Sequence, residues 1–120
     1  QTFKRTISVD LIEGGKGTVE VEYIYRTRTE FGAFVDEVLA DAGVKPTGTS
    51  DEEVKFSLQA ALEKARDANA DYILKVAKGW NLDVDFSRDS VSQLCDELPA
   101  VAQQIIEVYR GAITEGRLGN

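Results

Sequence analysis

Residues 79–120 read GWNLDVDFSRDSVSQLCDELPAVAQQIIEVYRGAITEGRLGN, and they hold the only tryptophan, the only cysteine and one of the two prolines of the chain. The second half of this stretch carries its best-punctuated amphipathic pattern. Pro99 suits the first turn of a helix, where its missing N–H has no partner to lose. Val101, Ala102, Ile105, Ile106, Tyr109, Ala112 and Ile113 then recur at helical spacing and form one broad apolar face. Gly116 and Gly119 loosen the end, and residues 117–120 are expected to fray. Upstream, Trp80, Leu82, Val84 and Phe86 alternate with Asn81, Asp83 and Asp85, which predicts an extended segment with an apolar side. Asp85 or Ser87 is expected to cap a short helix that turns Val91, Leu94 and Cys95 inward.

A wide apolar helix face needs another layer to bury it, and the start of the chain provides one. In residues 2–11, Phe3, Arg5, Ile7, Val9 and Leu11 face one way while Lys4, Thr6, Ser8 and Asp10 face the other. In residues 18–26, Val19, Val21, Tyr23 and Tyr25 oppose Glu20, Glu22, Ile24 and Arg26. Period-two alternation marks two strands, each with one face to bury. Between them lies Glu13-Gly14-Gly15-Lys16-Gly17, whose glycines allow the positive φ of a tight turn. The pair reads as a β-hairpin, which is marginal alone and must pack on something.

The middle of the chain reads as helix. Thr27 and Glu30 match a capping box, and Phe31, Phe34, Val35, Val38, Leu39 and Ala42 follow on one face. Gly43 sits where a left-handed residue closes a helix, so the spacing predicts a helix over about 28–42. Pro46 and Gly48 mark a linker. Ser50 and Glu53 form a second capping box. Val54, Leu58, Ala61, Leu62, Ala65, Ala68, Tyr72, Ile73 and Val76 continue as one stripe, which either runs unbroken to Lys78 or breaks within Asp67–Asp71. Lys75, Lys78 and Gly79 read as its C-terminal closure. Phe56 leaves the stripe. The expected fold class is α+β: an N-terminal antiparallel β-hairpin over 1–28, then about four α-helices over 29–120, in a single domain.

Composition narrows the function. At this length one domain with its own core is the expectation. The formal charge is −7, and residues 29–120 carry nine basic against seventeen acidic groups. Nucleic-acid binding needs cations to neutralise phosphate, so an acidic body argues against it. The same charge serves solubility or a partner with a basic patch. No segment approaches the ~20 apolar residues of a membrane span, and no signal segment is recognised. Cys95, being alone, forms no internal disulfide. A cytoplasmic protein is expected.

Chemistry-bearing patterns fail their own tests. Histidine is absent, which removes the usual general base and the commonest transition-metal ligand. The Gly14–Gly17 turn lacks the spacing of a phosphate loop and leads into a strand rather than a helix. Asp83, Asp85 and Ser87 match the first ligands of a calcium loop, but Arg88 stands at the sixth position and Leu94 at the twelfth. The remaining acid–base candidates, Asp83, Asp85 and Asp89, or Glu20 and Glu22, fit polar outer faces equally well. Cys95 lies beside Asp96 and Glu97, the opposite of the cationic setting that activates a thiol. Neither catalysis nor a cofactor or metal site is expected.

Residues 79–120 together with the preceding alanine-rich helix resemble the phage tail assembly chaperones of long-tailed bacteriophages and prophages. The likeness runs through Gly79-Trp80, Leu82, Phe86 and Ser87, then Leu94-Cys95-Asp96-Glu97 and Pro99, then Ile105, Tyr109 and Gly116-Arg117-Leu118-Gly119-Asn120. A strand pair leading into a helix is similar too. The likeness covers most of the chain and is strongest over about residues 71–120. It implies a role without a reaction. Such chaperones coat the long, helical tape measure protein in the host cytoplasm, keep it soluble, help recruit tail tube protein and are absent from the finished virion. In many phages a frameshift also makes a longer form.

For a binding protein, Phe56, Trp80 and Tyr109 are the candidate partner contacts, since aromatic residues are favoured at hot spots. A lone Trp at a helix-to-strand junction is more readily a core anchor, and Phe56, off its stripe, is the better surface candidate. Homo-oligomerisation is compatible with this role. The competing reading is another phage interaction module, a tail-completion protein or an acidic inhibitor of a basic partner.

Overall fold

The computed structural model describes residues 1–10, 14–45, 48, 50–64 and 67–115. Its elements are β1 (Thr2–Asp10), β2 (Lys16–Ile24), α1 (Arg28–Ala42), α2 (Asp51–Lys64), α3 (Ala68–Val76), β3 (Ala77–Trp80), α4 (Arg88–Glu97) and α5 (Pro99–Thr114). Leu11, Glu13, Pro46, Ala65 and the tail 116–120 lie outside the described residues.

The hairpin forms as the alternation predicts. β1 and β2 pair antiparallel from Thr2–Ile24 to Asp10–Lys16 without a register break. Gly14 and Gly15 both hold positive φ, the conformation for which the loop needs glycine. Lys16 and Gly17 belong to β2 rather than to the turn. Ile7, Val9, Val19, Val21 and Tyr23 are buried on one face, while Lys4, Thr6, Ser8 and Thr18 are exposed on the other.

Two features depart from the sequence reading. The hairpin gains a third strand, so the sheet has the order β1-β2-β3. Five helices follow the hairpin among the described residues, where about four were expected. Both differences arise within residues 64–80. The stripe is carried by two helices, α2 ending at Lys64 and α3 beginning at Ala68, beside the weakly apolar section 67–71. α3 then stops at Val76 because Ala77 turns extended. Gly79 is therefore no helix terminator. It pairs with Glu22, and Ala77 and Trp80 pair with Tyr23 and Val21, with a register shift between Glu22 and Tyr23 that leaves Lys78 as the extra residue of a bulge.

The local capping signals on either side of this stretch held. Thr27 accepts from the Glu30 N–H, and the Glu30 carboxylate accepts from the Thr27 N–H. Ser50 and Glu53 make the same reciprocal pair. Gly43 is left-handed at φ 69° and donates to the last carbonyls of α1. Ser87 caps α4, sharing reciprocal bonds with Ser90.

α5 packs across the buried face of the sheet, where the Tyr23 hydroxyl donates to the Ile105 carbonyl at 2.8 Å. All seven apolar residues read from its sequence are buried. Residues from β1, β2, β3 and all five helices contribute to one hydrophobic cluster. Its centre is aromatic: Phe3, Tyr23 and Phe31 surround Tyr109 with ring centroids 5.3–6.1 Å away, and Phe34 meets Tyr72 at 5.2 Å. Arg26 ties this centre together. Its guanidinium lies 4.3 Å from the Phe34 ring centroid and donates to the Tyr109 hydroxyl and the Lys75 carbonyl.

Candidate partner-binding surface

The three aromatic candidates occupy three different environments. Tyr109 is fully buried, and its hydroxyl donates to the Ile24 carbonyl at 3.0 Å while accepting from Arg26. A contribution of Tyr109 to binding therefore acts through the fold. Trp80 is half-buried. Its indole N–H donates to the Val84 carbonyl at 2.9 Å, and Phe86 meets its ring edge-on at 5.0 Å. Those contacts close the 81–86 loop over the sheet. Leu82 and Phe86 pack against the core as the alternation predicts, but Val84 is 56% exposed, because residues 81–84 bend and leave the extended path.

Phe56 is 58% exposed. The capping box at Ser50 sets the phase of α2, turning Leu58, Ala61 and Leu62 inward, so Phe56 falls on the opposite side. It stands over a cleft of about 410 Å³ that Lys55, Gln59, Arg110 and Thr114 also line. The same Lys55, Gln59 and Arg110 line a second cleft of about 270 Å³, where Leu62 and Ile106 also contribute. The shared residues make these one trough between α2 and α5, with Leu58, Leu62 and Ile106 as an apolar floor at one end and Asp51, Glu52 and Glu115 beside Phe56 at the other.

The rim is braced by charge. Lys55 on α2 lies 3.6 Å from Glu107 on α5, and Arg110 donates to the same carboxylate at 2.5 Å. Hydrogen bonding from the Arg110 guanidinium holds the Glu107 carboxyl below the usual carboxylate range. A trough of this kind accepts a short apolar ridge flanked by polar groups, which is what one face of an amphipathic helix presents. It was not readable in the sequence, since Lys55 and Glu107 come from separate helices and no local pattern announces that they meet. Phe56 was the one signal available.

The carboxylates considered for acid–base chemistry are occupied separately. Glu22 accepts from the Thr2 hydroxyl at 2.7 Å, and Glu20 lies 3.9 Å from Lys4. Asp83, Asp85 and Asp89 are exposed. Among the described residues no three or more Cys, Asp or Glu side chains gather as metal ligands would. Burial pushes the Cys95 thiol up, away from a reactive thiolate. Among the described residues no helix is long and apolar enough to cross a membrane.

The sequence profile of the phage tail assembly chaperone family matches residues 1–120. No curated protein and no solved structure matches the chain.

Proposed function

The chain belongs to the phage tail assembly chaperone family, and we propose that it is a non-enzymatic chaperone that binds the tape measure protein, keeps it soluble and helps recruit tail tube protein. The observation that carries this reading is the family match along all of residues 1–120. The protein acts as a single domain in the cytoplasm of the bacterial host, with no nucleic acid, membrane or cofactor involved.

The surface proposed for the tape measure protein is the α2–α5 trough with Phe56 at its mouth. A long helical client exposes apolar stripes before assembly. The trough floor covers such a stripe, and the ring of Phe56 adds a large contact at small conformational cost. The net charge of −7 then keeps the loaded complex dispersed by like-charge repulsion. Trp80, half-buried at the end of β3, is a secondary contact for the same client or for tail tube protein.

The test is co-expression with fragments that tile a tape measure protein, followed by co-purification and titration. At least one helical fragment is expected to bind. Phe56→Ala should weaken it by at least about tenfold, with a nearly unchanged unfolding midpoint because the ring is mostly in water. Binding of no fragment, or persistence of the chain in purified virions, would overturn the chaperone reading. Lost stability with unchanged binding would move the contact away from Phe56.

A further inference from the structure

The strand order places β1 at an edge of the sheet. This edge is nine residues long and holds register with β2 throughout. The opposite edge, β3, is four residues long and bulged. The Tyr25 N–H donates to the Gln1 carbonyl, so in this register the odd residues of β1 bond to β2. By the alternation of an antiparallel ladder, the N–H and C=O groups of Thr2, Lys4, Thr6, Ser8 and Asp10 point away from the sheet. Proteins commonly blunt such an edge with charged side chains, an inward-pointing charge, proline or a bulge, and Lys4, Asp10 and Arg5 are the charges this edge carries. Here the described edge has no proline or bulge, and its two outer-face charges are of opposite sign.

Lys4 and Asp10 lie three positions on either side of Ile7. We propose that two copies of this chain pair edge to edge through β1, antiparallel about a two-fold axis at Ile7, so that two three-stranded sheets become one six-stranded sheet. This register sets Lys4 of each copy opposite Asp10 of the other, and Thr6 opposite Ser8. Each of these even-numbered residues has an outward backbone pair to exchange. No other two-fold register of this strand opposes the two charges.

The existing ion pairs extend the match. Asp10 already holds Lys16 at 2.6 Å, and Lys4 lies 3.9 Å from Glu20. Joined across the axis, they form a row Lys16, Asp10, Lys4, Glu20 that alternates in sign over four strands, and symmetry provides it twice. Like charges never stand directly opposite, which is the arrangement cross-strand pairs favour. Between the two rows stand only the small hydroxyls of Thr6 and Ser8.

Among the described residues, Arg5 reaches over this edge. The Arg5 guanidinium donates to the outward Lys4 carbonyl at 2.8 Å, and among the described residues its Nη2 is buried without a partner. On pairing, it yields that carbonyl to the Asp10 N–H of the second copy. The inference does not depend on the chaperone reading, because it rests on the edge alone.

Sedimentation of the full chain over a concentration series tests it. A monomer–dimer equilibrium is expected. Lys4→Asp alone and Asp10→Lys alone each place two like-charge pairs across the axis, and each should weaken the dimer by roughly tenfold or more. An equimolar mixture of the two variants should associate again, because every pair across the axis is then of opposite sign. Ser8→Pro, which removes an outward N–H that the β1–β2 ladder does not use, should also abolish pairing. Recovery in the mixture cannot come from misfolding of either variant. A chain that stays monomeric at every concentration overturns the proposal. So does a dimer indifferent to all three substitutions, or a mixture that fails to recover.

Discussion

Tyr72→Phe should make this protein more stable, and the reason lies in how three buried tyrosines are partnered. Tyr23, Tyr72 and Tyr109 are among the largest fully buried side chains. The Tyr23 hydroxyl donates to the Ile105 carbonyl, and the Tyr109 hydroxyl donates to the Ile24 carbonyl while accepting from Arg26. The Tyr72 hydroxyl is buried with no hydrogen-bond partner among the described residues. Leaving a buried polar group unsatisfied costs about 1–3 kcal/mol, whereas a made hydrogen bond contributes a net of about 0.5–1.5 kcal/mol. Phenylalanine at 72 keeps the ring and its contact with Phe34 and removes the desolvated hydroxyl, at the cost of a void one oxygen in size. The expected gain is about 1 kcal/mol, a rise in Tm of about 3–6 °C for a chain of this length. Tyr23→Phe should lose about 1 kcal/mol. Tyr109→Phe should lose more, about 1.5–3 kcal/mol, because it strands a charged donor on Arg26. Calorimetry and urea unfolding with unchanged m-values would measure all three. If Tyr72→Phe lowers stability as much as Tyr23→Phe, the hydroxyl has a partner in solution and the reasoning fails.

Gly43→Ala should cost about 1–2 kcal/mol. An added Cβ meets nothing within 4 Å there, so the left-handed backbone at φ +69° is the whole cost, and Gly43→Asn should cost less; thermal unfolding of both variants checks this. Burial raises all three core tyrosines above their ordinary value. The unfolded chain then releases their protons near pH ~10 while the folded chain keeps them. Their contribution is complete below that pH and is lost as pH rises above it. Urea midpoints should fall steeply on the alkaline side, and less steeply in Tyr72→Phe.

What the sequence made legible follows the range of the interactions involved. The capping pairs Thr27–Glu30 and Ser50–Glu53 are bonds between residues three apart, and each was readable from two letters. The apolar face of α5 was readable because one helix carries its own period. β3 was not. Lys75, Lys78 and Gly79 carry the local marks of a helix end, yet Ala77–Trp80 is drawn out by β2, more than fifty residues earlier. Sheet pairing outweighed local propensity there, and nothing within four residues of Gly79 encodes the strand that does it. The candidate surface divides the same way. Phe56 was visible as a residue out of phase with its stripe, whereas the trough beneath it depends on where α5 returns. Trp80 and Tyr109 were visible as aromatic residues, but their distances from solvent were not.

The strand hidden from the sequence also determines which edge of the sheet stays open. A two-stranded hairpin has two long edges and is marginal in water. β3 covers one of them. Asn81 extends that cover beyond Trp80: its N–H donates to the Glu20 carbonyl at 3.1 Å and its side-chain oxygen accepts from the Glu20 N–H at 2.8 Å. The bulge at Lys78 interrupts this pairing, and the loop closed by Trp80 and Phe86 follows its end. β2 thus becomes a central strand, and β1 is left as the long unpaired edge among the described residues. The helical layer holds the trough proposed for a client, while the sheet holds the edge proposed for a second copy. On the proposed readings, a pair of copies presents two troughs. Placing client contact and copy contact on different layers lets one proceed without occupying the other.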